Sequence, residues 1–179
     1  KTTGIGPFAM AAGDTMVLDT DNLGNETATW DATAATITDT TGYACADQDG
    51  KTMTVTVDGG SAQTVTFAGV STAVLVLAAQ MNAQLVGCSV DASSGQLVIS
   101  TDSQGSGSTV ATGAGTGGLT WAAAVAGTGD AVDISAVTAT EIKTVVEADT
   151  ICVATVLGTG AVRLDSPTTG ITSELDFDS

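Results

Sequence analysis

The chain has 179 residues, 4 Lys plus Arg against 20 Asp plus Glu, a formal net charge of −16 and no histidine. That composition excludes a histidine general base, a Ser-His-Asp triad and a His-ligated metal, and it opposes binding to a phosphate backbone through basic contacts. A mean hydropathy of +0.32 is too apolar for a disordered chain despite the charge.

Period-two alternation dominates from the start. Residues 14–30 read as a first hairpin, with Asp19-Thr-Asp21-Asn-Leu-Gly24 at its turn. This loop resembles the opening of a calcium loop but has Leu23 at the fifth position and Trp30 at the twelfth, where acidic or amide ligands belong. It is read as a turn. No cofactor is expected, although loosely bound calcium elsewhere among the carboxylates stays open. Asp47-Gln-Asp49-Gly50 is a second turn signal, placed at a junction between units. Lys51–Val57 alternates Met53, Val55 and Val57 with threonines. It is followed by the turn Asp58-Gly59-Gly60 and by Gln63–Phe67, a second hairpin.

Residues 71–86 break the alternation. Val74, Leu75, Leu77, Ala78, Met81 and Leu85 recur at helical spacing, with Ser71 or Thr72 available as N-cap and Gly87 as terminator. The longest apolar run, residues 72–79, is far short of the roughly 18 residues that cross a bilayer. Residues 95–110 return to strands. The Gly-rich stretch 105–118 reads either as a flexible loop or as a contact segment ordered by a neighbouring subunit, and it runs into Leu119-Thr-Trp121. Residues 138–148 form a second helix with Ile142, Val145 and Val146 on one stripe, a Thr138 or Thr140 cap, and a Lys143–Glu147 surface ion pair. The cysteines, Cys45, Cys88 and Cys152, are too few and too widely spaced for a disulfide framework or a zinc site. They read as buried thiols.

An internal repeat organises these elements. Thr15, Met16, Asp21, Thr27, Thr29 and Trp30 fall on Thr52, Met53, Asp58, Thr64, Thr66 and Phe67 at a constant offset of 37. Gly95, Gly105, Ser108 and Val110 fall on Gly160, Gly170, Ser173 and Leu175 at an offset of 65. The order hairpin, hairpin, helix, strand pair, helix, strand pair is not tandem duplication. It is what results when one unit is inserted into another. The expected fold is therefore mainly β (α+β): two related antiparallel sheet units, each a four-stranded sheet with one covering helix. The outer unit spans 8–45 plus 129–179, and the inserted unit spans 46–128.

The pattern Thr52-Met-Thr-Val-Thr-Val-Asp-Gly-Gly60 with Thr64-Val-Thr-Phe67, a helix carrying Leu77-Ala-Ala-Gln-Met-Asn-Ala83, then Gly95-Gln-Leu-Val-Ile-Ser100 and Gly105-Ser-Gly-Ser108 resembles a module of tailed-bacteriophage virion proteins. Comparable modules occur in bacterial surface and flagellar filament proteins. The second copy ends similarly, in Arg163-Leu-Asp-Ser-Pro-Thr-Thr-Gly170. The resemblance implies no catalytic residues. It implies a structural, non-enzymatic role on the particle exterior: capsid decoration (cement), or tail or fibre. The implied partners are sister copies, as a trimer, and the major capsid protein or other virion proteins, with no nucleic acid and no membrane. A filament subunit or a binding module at a tail tip is the alternative. Assembly contacts are expected at Ile5, Pro7 and Phe8 of the N-terminal segment and at Leu119 and Trp121, with Trp121 closing the inner unit's own core as the alternative reading.

Overall fold

The structure is a computed structural model that describes residues 6–41, 47–69, 73–113, 115–170 and 173–178. It is mainly β, with strands β1 (Asp14–Thr20), β2 (Asn25–Trp30), β3 (Ala34–Thr38), β4 (Thr52–Val57), β5 (Gln63–Thr66), β6 (Cys88–Asp91), β7 (Val98–Gln104), β8 (Val110–Gly113), β9 (Val153–Val156), β10 (Val162–Asp165) and β11 (Leu175–Asp178). Two helices, α1 (Val74–Asn82) and α2 (Ala139–Asp149), complete the list of longer elements.

The chain divides into two compact units, Lys1–Ala32 with Gly129–Ser179, and Thr33–Thr128. The inner unit therefore begins at Thr33 and not at residue 46. The expected boundary is corrected by β3, which pairs antiparallel with β7 (Ile37 opposite Ile99) and so belongs with the inner strands. Each unit splits its strands between two small sheets. The outer unit has β11-β1-β2 and β10-β9, and the inner unit has β3-β7-β6 and β5-β4-β8. A single four-stranded sheet per unit is thus replaced by two small sheets.

The sequence offsets reappear as strand registers. Thr15 pairs with Thr29 and Met16 with Ala28, while Thr52 pairs with Thr66 and Met53 with Val65. Leu175 and Phe177 of β11 oppose Thr20 and Leu18 of β1, just as Val110 and Thr112 of β8 oppose Val57 and Val55 of β4. A one-residue slip would turn every inward side chain outward, so matched registers mean matched cores. Leu18, Ala28 and Trp30 are buried in the outer unit, and Val55, Val65 and Phe67 in the inner one.

The helices are built differently. α2 has a full capping box. The Thr138 hydroxyl accepts from the Glu141 N–H, and the Glu141 carboxylate accepts from the Thr138 N–H. α1 begins after Ala73, which offers no side-chain cap. Ser71 and Thr72, the expected caps, lie outside the described residues. Val74, Leu77, Ala78 and Met81 face the inner core, whereas Leu75 of the expected stripe is 67% exposed. No helix among the described residues is long and apolar enough to cross a membrane.

The Gly-rich stretch 105–118 is neither a bare loop nor a free arm over its whole length. It contains β8, paired with β4, and Val110 is buried.

Candidate assembly surface

An open apolar cleft of about 760 Å³ lies in the outer unit. Its lining comes from several places in the unit. The N-terminal segment supplies Phe8 and Met10, the first hairpin Met16 and Trp30, α2 Ile142, β10 Val162 and Leu164, and β11 Leu175 and Phe177. Alternation along β1 and β2 brings Met16 and Trp30 to this side. The capping box sets where α2 starts, and with it the position of Ile142 one turn along. Trp30 is only 1% exposed, and its indole Nε1 has no hydrogen-bond partner, which is uncommon for a buried donor. At the rim, Phe177 is 45% exposed, and Arg163 is ion-paired with Asp165 at 2.7 Å.

The expected contact residues are not gathered in one place. Phe8 is half-buried, pairs with Val137 and lines the cleft. Pro7 is exposed and follows a cis peptide bond. Ile5 lies outside the described residues. Leu119 and Trp121 are half-buried against the inner unit's own core, and Trp121 bridges to Asp39. The cleft itself has no local sequence mark. Its walls are ordinary alternating strand residues, brought together by pairings of long sequence separation.

The polar features tie turns rather than build a reactive centre. Asp21 sits at a φ of 59° in the first hairpin turn. Its carboxylate accepts from the Thr168 hydroxyl (2.7 Å), the Glu174 N–H (2.9 Å) and the Ser166 hydroxyl (2.8 Å). These bonds, Thr168 foremost, hold its carboxyl below the usual range. With its oxygens engaged by donors, Asp21 works as a turn anchor, and the Asp19–Gly24 loop is a turn as its sequence indicates. For Glu141, burial works to raise the carboxyl pKa, but bonds from the Thr138 hydroxyl and the Val132 and Thr138 N–H groups outweigh it, and the net shift is downward. Cys88 and Cys152 are buried free thiols. Burial pushes both up in pKa, and the negative charge of Asp102 adds to this at Cys88, so neither is primed as a thiolate nucleophile. Cys45 lies outside the described residues. Among the described residues, no group of three or more His, Cys, Asp or Glu side chains could hold a metal ion. Lys143 pairs with Glu147 as its spacing indicates, and also donates to the Ala154 carbonyl at 2.8 Å.

Neither a family model nor a curated protein matches the chain. Among solved structures, it is similar to the D2–D3 domains of the flagellar cap protein FliD from Serratia marcescens, at 15% identity and a TM-score of 0.39, with all of both chains covered.

Proposed function

We propose that the protein is a non-enzymatic structural subunit of an exterior particle surface, a capsid decoration (cement) protein of a tailed bacteriophage that works as a homo-oligomer, with a trimer as the expected form. The observation that carries this reading is the open apolar cleft with the exposed Phe177 at its rim. Apolar surface of this kind is stabilised by being covered, and assembly supplies the cover. The function would be mechanical. Each copy would bury surface against shell subunits and sister copies, so that expansion of the particle must also break those contacts. The net charge of −16 suits an outward-facing protein that must stay soluble and away from packaged nucleic acid.

The test is sedimentation of the purified chain together with electron microscopy of the native assembly. A closed trimer seated on an icosahedral shell is the expected result. Helical stacking of copies would move the assignment to a filament subunit. A monomer at every concentration, with no affinity for shells, would overturn the assembly reading.

A further inference from the structure

The helix of each unit also ties down the strand that follows it, and the two ties differ in chemistry. In the inner unit Asn82, the last residue of α1, takes both main-chain groups of Val90 on β6. Its Nδ2 donates to the Val90 carbonyl and its Oδ1 accepts from the Val90 N–H, each at 2.7 Å. In the outer unit the same two groups of Ala154 on β9 are taken by α2. The Glu147 carboxylate accepts from the Ala154 N–H at 3.1 Å, and the Lys143 ammonium donates to the Ala154 carbonyl at 2.8 Å.

The two places correspond. Glu147 stands at the repeat offset of 65 from Asn82. Val90 and Ala154 lie opposite Ile99 and Leu164, which are themselves 65 apart. One amide side chain carries both a donor and an acceptor, whereas a carboxylate carries acceptors alone. The outer unit therefore needs a second residue for the donor, and Lys143, one turn before Glu147, supplies it. The two side chains also bond each other. A neutral tie in one unit is an ion pair in its twin.

We propose that the Lys143–Glu147 pair is an acid-released lock on the edge of β9, while its neutral inner counterpart, Asn82, stays closed over the same pH range. Protonation of Glu147 removes its charge. The Lys143 ammonium then loses its partner and turns to water, and the Ala154 N–H loses a charge-assisted bond. The edge of β9 at Ala154 is thereby opened to water, in the outer unit alone. An edge left in that state is a template for pairing with another strand.

The electrostatics agree with the geometry. Bonds from the Lys143 ammonium first, and from the Ala154 N–H second, hold the Glu147 carboxyl below its usual range. The other charged groups on α2 and on the strands packed against it are engaged elsewhere. Glu26 of β2 accepts from the Ile151 N–H, Asp149 from the Thr29 N–H and Glu141 from the Thr138 N–H, and Arg163 of β10 pairs with Asp165. Lys143 is the charge that acts on Glu147. A carboxyl lowered in the folded state gives a lock that is complete above the ordinary glutamate value of about 4.3 and is lost as pH falls through the lowered one.

Amide hydrogen exchange of Ala154 and Val90, followed by NMR in the full chain, tests the lock. Protection factors are compared, which removes the intrinsic pH dependence of exchange. Between about pH 6 and about pH 2.5 the protection of Ala154 should fall at least about threefold relative to that of Val90, the scale of a partly exposed ion pair. Glu147→Gln keeps an acceptor without a titrating charge, so the ratio in that variant should stay flat with pH. A flat ratio in the wild type overturns the proposal. An equal fall in Glu147→Gln also overturns it, and assigns the effect to general weakening of the outer unit by acid. Lys143→Met reads the lock at neutral pH, where the fold is intact. Ala154 exchange should quicken at least about threefold with Val90 unchanged, and unchanged Ala154 exchange would show that the ion pair does not hold the edge.

Discussion

Asp21 and Asp58 perform one task in two places. Both are non-glycine residues at positive φ, 59° and 49°, in the turn of their hairpin. Asp21 accepts from the Thr168 hydroxyl and the Glu174 N–H, and Asp58 accepts from the Ser103 hydroxyl (2.7 Å) and the Thr109 N–H (2.9 Å). The donors correspond at the same offset of 65 that relates the strands. The loop between them is also repeated. Ser108 N–H donates to the Gly105 carbonyl and Ser173 N–H to the Gly170 carbonyl, and the Ser108 and Ser173 hydroxyls donate to the Ser103 and Thr168 carbonyls. Each aspartate thereby fastens its hairpin turn to the loop that leads into the third strand of its sheet.

Replacing Asp58 by Ala should therefore destabilise the inner unit. Loss of charge-assisted bonds of this kind costs about 1–2 kcal/mol, and alanine also fits the positive φ poorly. Urea unfolding of Asp58→Ala beside Asp58→Asn, which keeps the turn preference, separates the two contributions. Equal midpoints for wild type and Asp58→Ala would show that the aspartate is not a latch.

Acid should weaken the fold through carboxylates held low by hydrogen bonds. Asp21 and Glu141 both have carboxyl pKa values below their ordinary ones. A group lowered in the folded state contributes stability that is complete above the ordinary carboxylate pKa of about 4 and is lost as pH falls through the lowered value. The unfolding midpoint should fall between pH 5 and about pH 2, and it should fall less steeply in Asp21→Asn. An unchanged pH slope in that variant would contradict the assignment.

The helix starts offer opposite substitutions. Thr138→Ala removes half of the capping box of α2 and should cost about 1 kcal/mol. Ala73 occupies the N-cap of α1 in extended geometry, φ −93° and ψ 121°, without a side-chain cap. Ala73→Asp should therefore stabilise the chain by about 0.5–1 kcal/mol. Thermal unfolding of both variants reads the signs directly, and a destabilising Ala73→Asp would show that the start of α1 is fixed by other contacts.

Two glycines guard the places where the chain passes between units. Gly129 has a φ of 148°, and an added Cβ would run into the Asp31 carbonyl and the Ala32 backbone. At Gly127 an added Cβ would lie 2.5 Å from the Gly105 carbonyl oxygen and 2.6 Å from that of Thr33. Alanine at either position should cost more than about 2 kcal/mol, as measured by denaturant midpoint. A neutral effect at both would mean that these close approaches relax freely.

The hairpins, both helices and the nested order were legible in the sequence because each is signalled locally. Asp and Gly mark the turns, Thr alternates with aliphatic residues along the strands, and Thr138 precedes Glu141 by the capping-box spacing. β3 was not legible as an inner strand. Its partner β7 lies about 60 residues downstream, and nothing in Ala34-Ala-Thr-Ile-Thr38 states which unit it completes. The cleft was hidden for the same reason, since its walls come from strands and a helix far apart in the sequence. Of the five expected contact residues, Phe8 lines the cleft, whereas Trp121 lies against the inner core. An aromatic residue in a Gly- and Ala-rich stretch carries the same signature in either role.

The nested architecture itself is tested most directly by cutting it out. The inner unit's two ends are already joined by hydrogen bonds, Thr33 N–H to the Thr128 carbonyl at 2.8 Å and Thr128 N–H to the Thr33 hydroxyl at 2.9 Å, so residues 33–128 can be made as a separate polypeptide with its ends held together. Thermal unfolding followed by circular dichroism should show a β-rich fold melting in a single cooperative transition. A fragment that stays unfolded, or melts without cooperativity, would contradict the view that a complete small fold has been inserted into a second copy of itself.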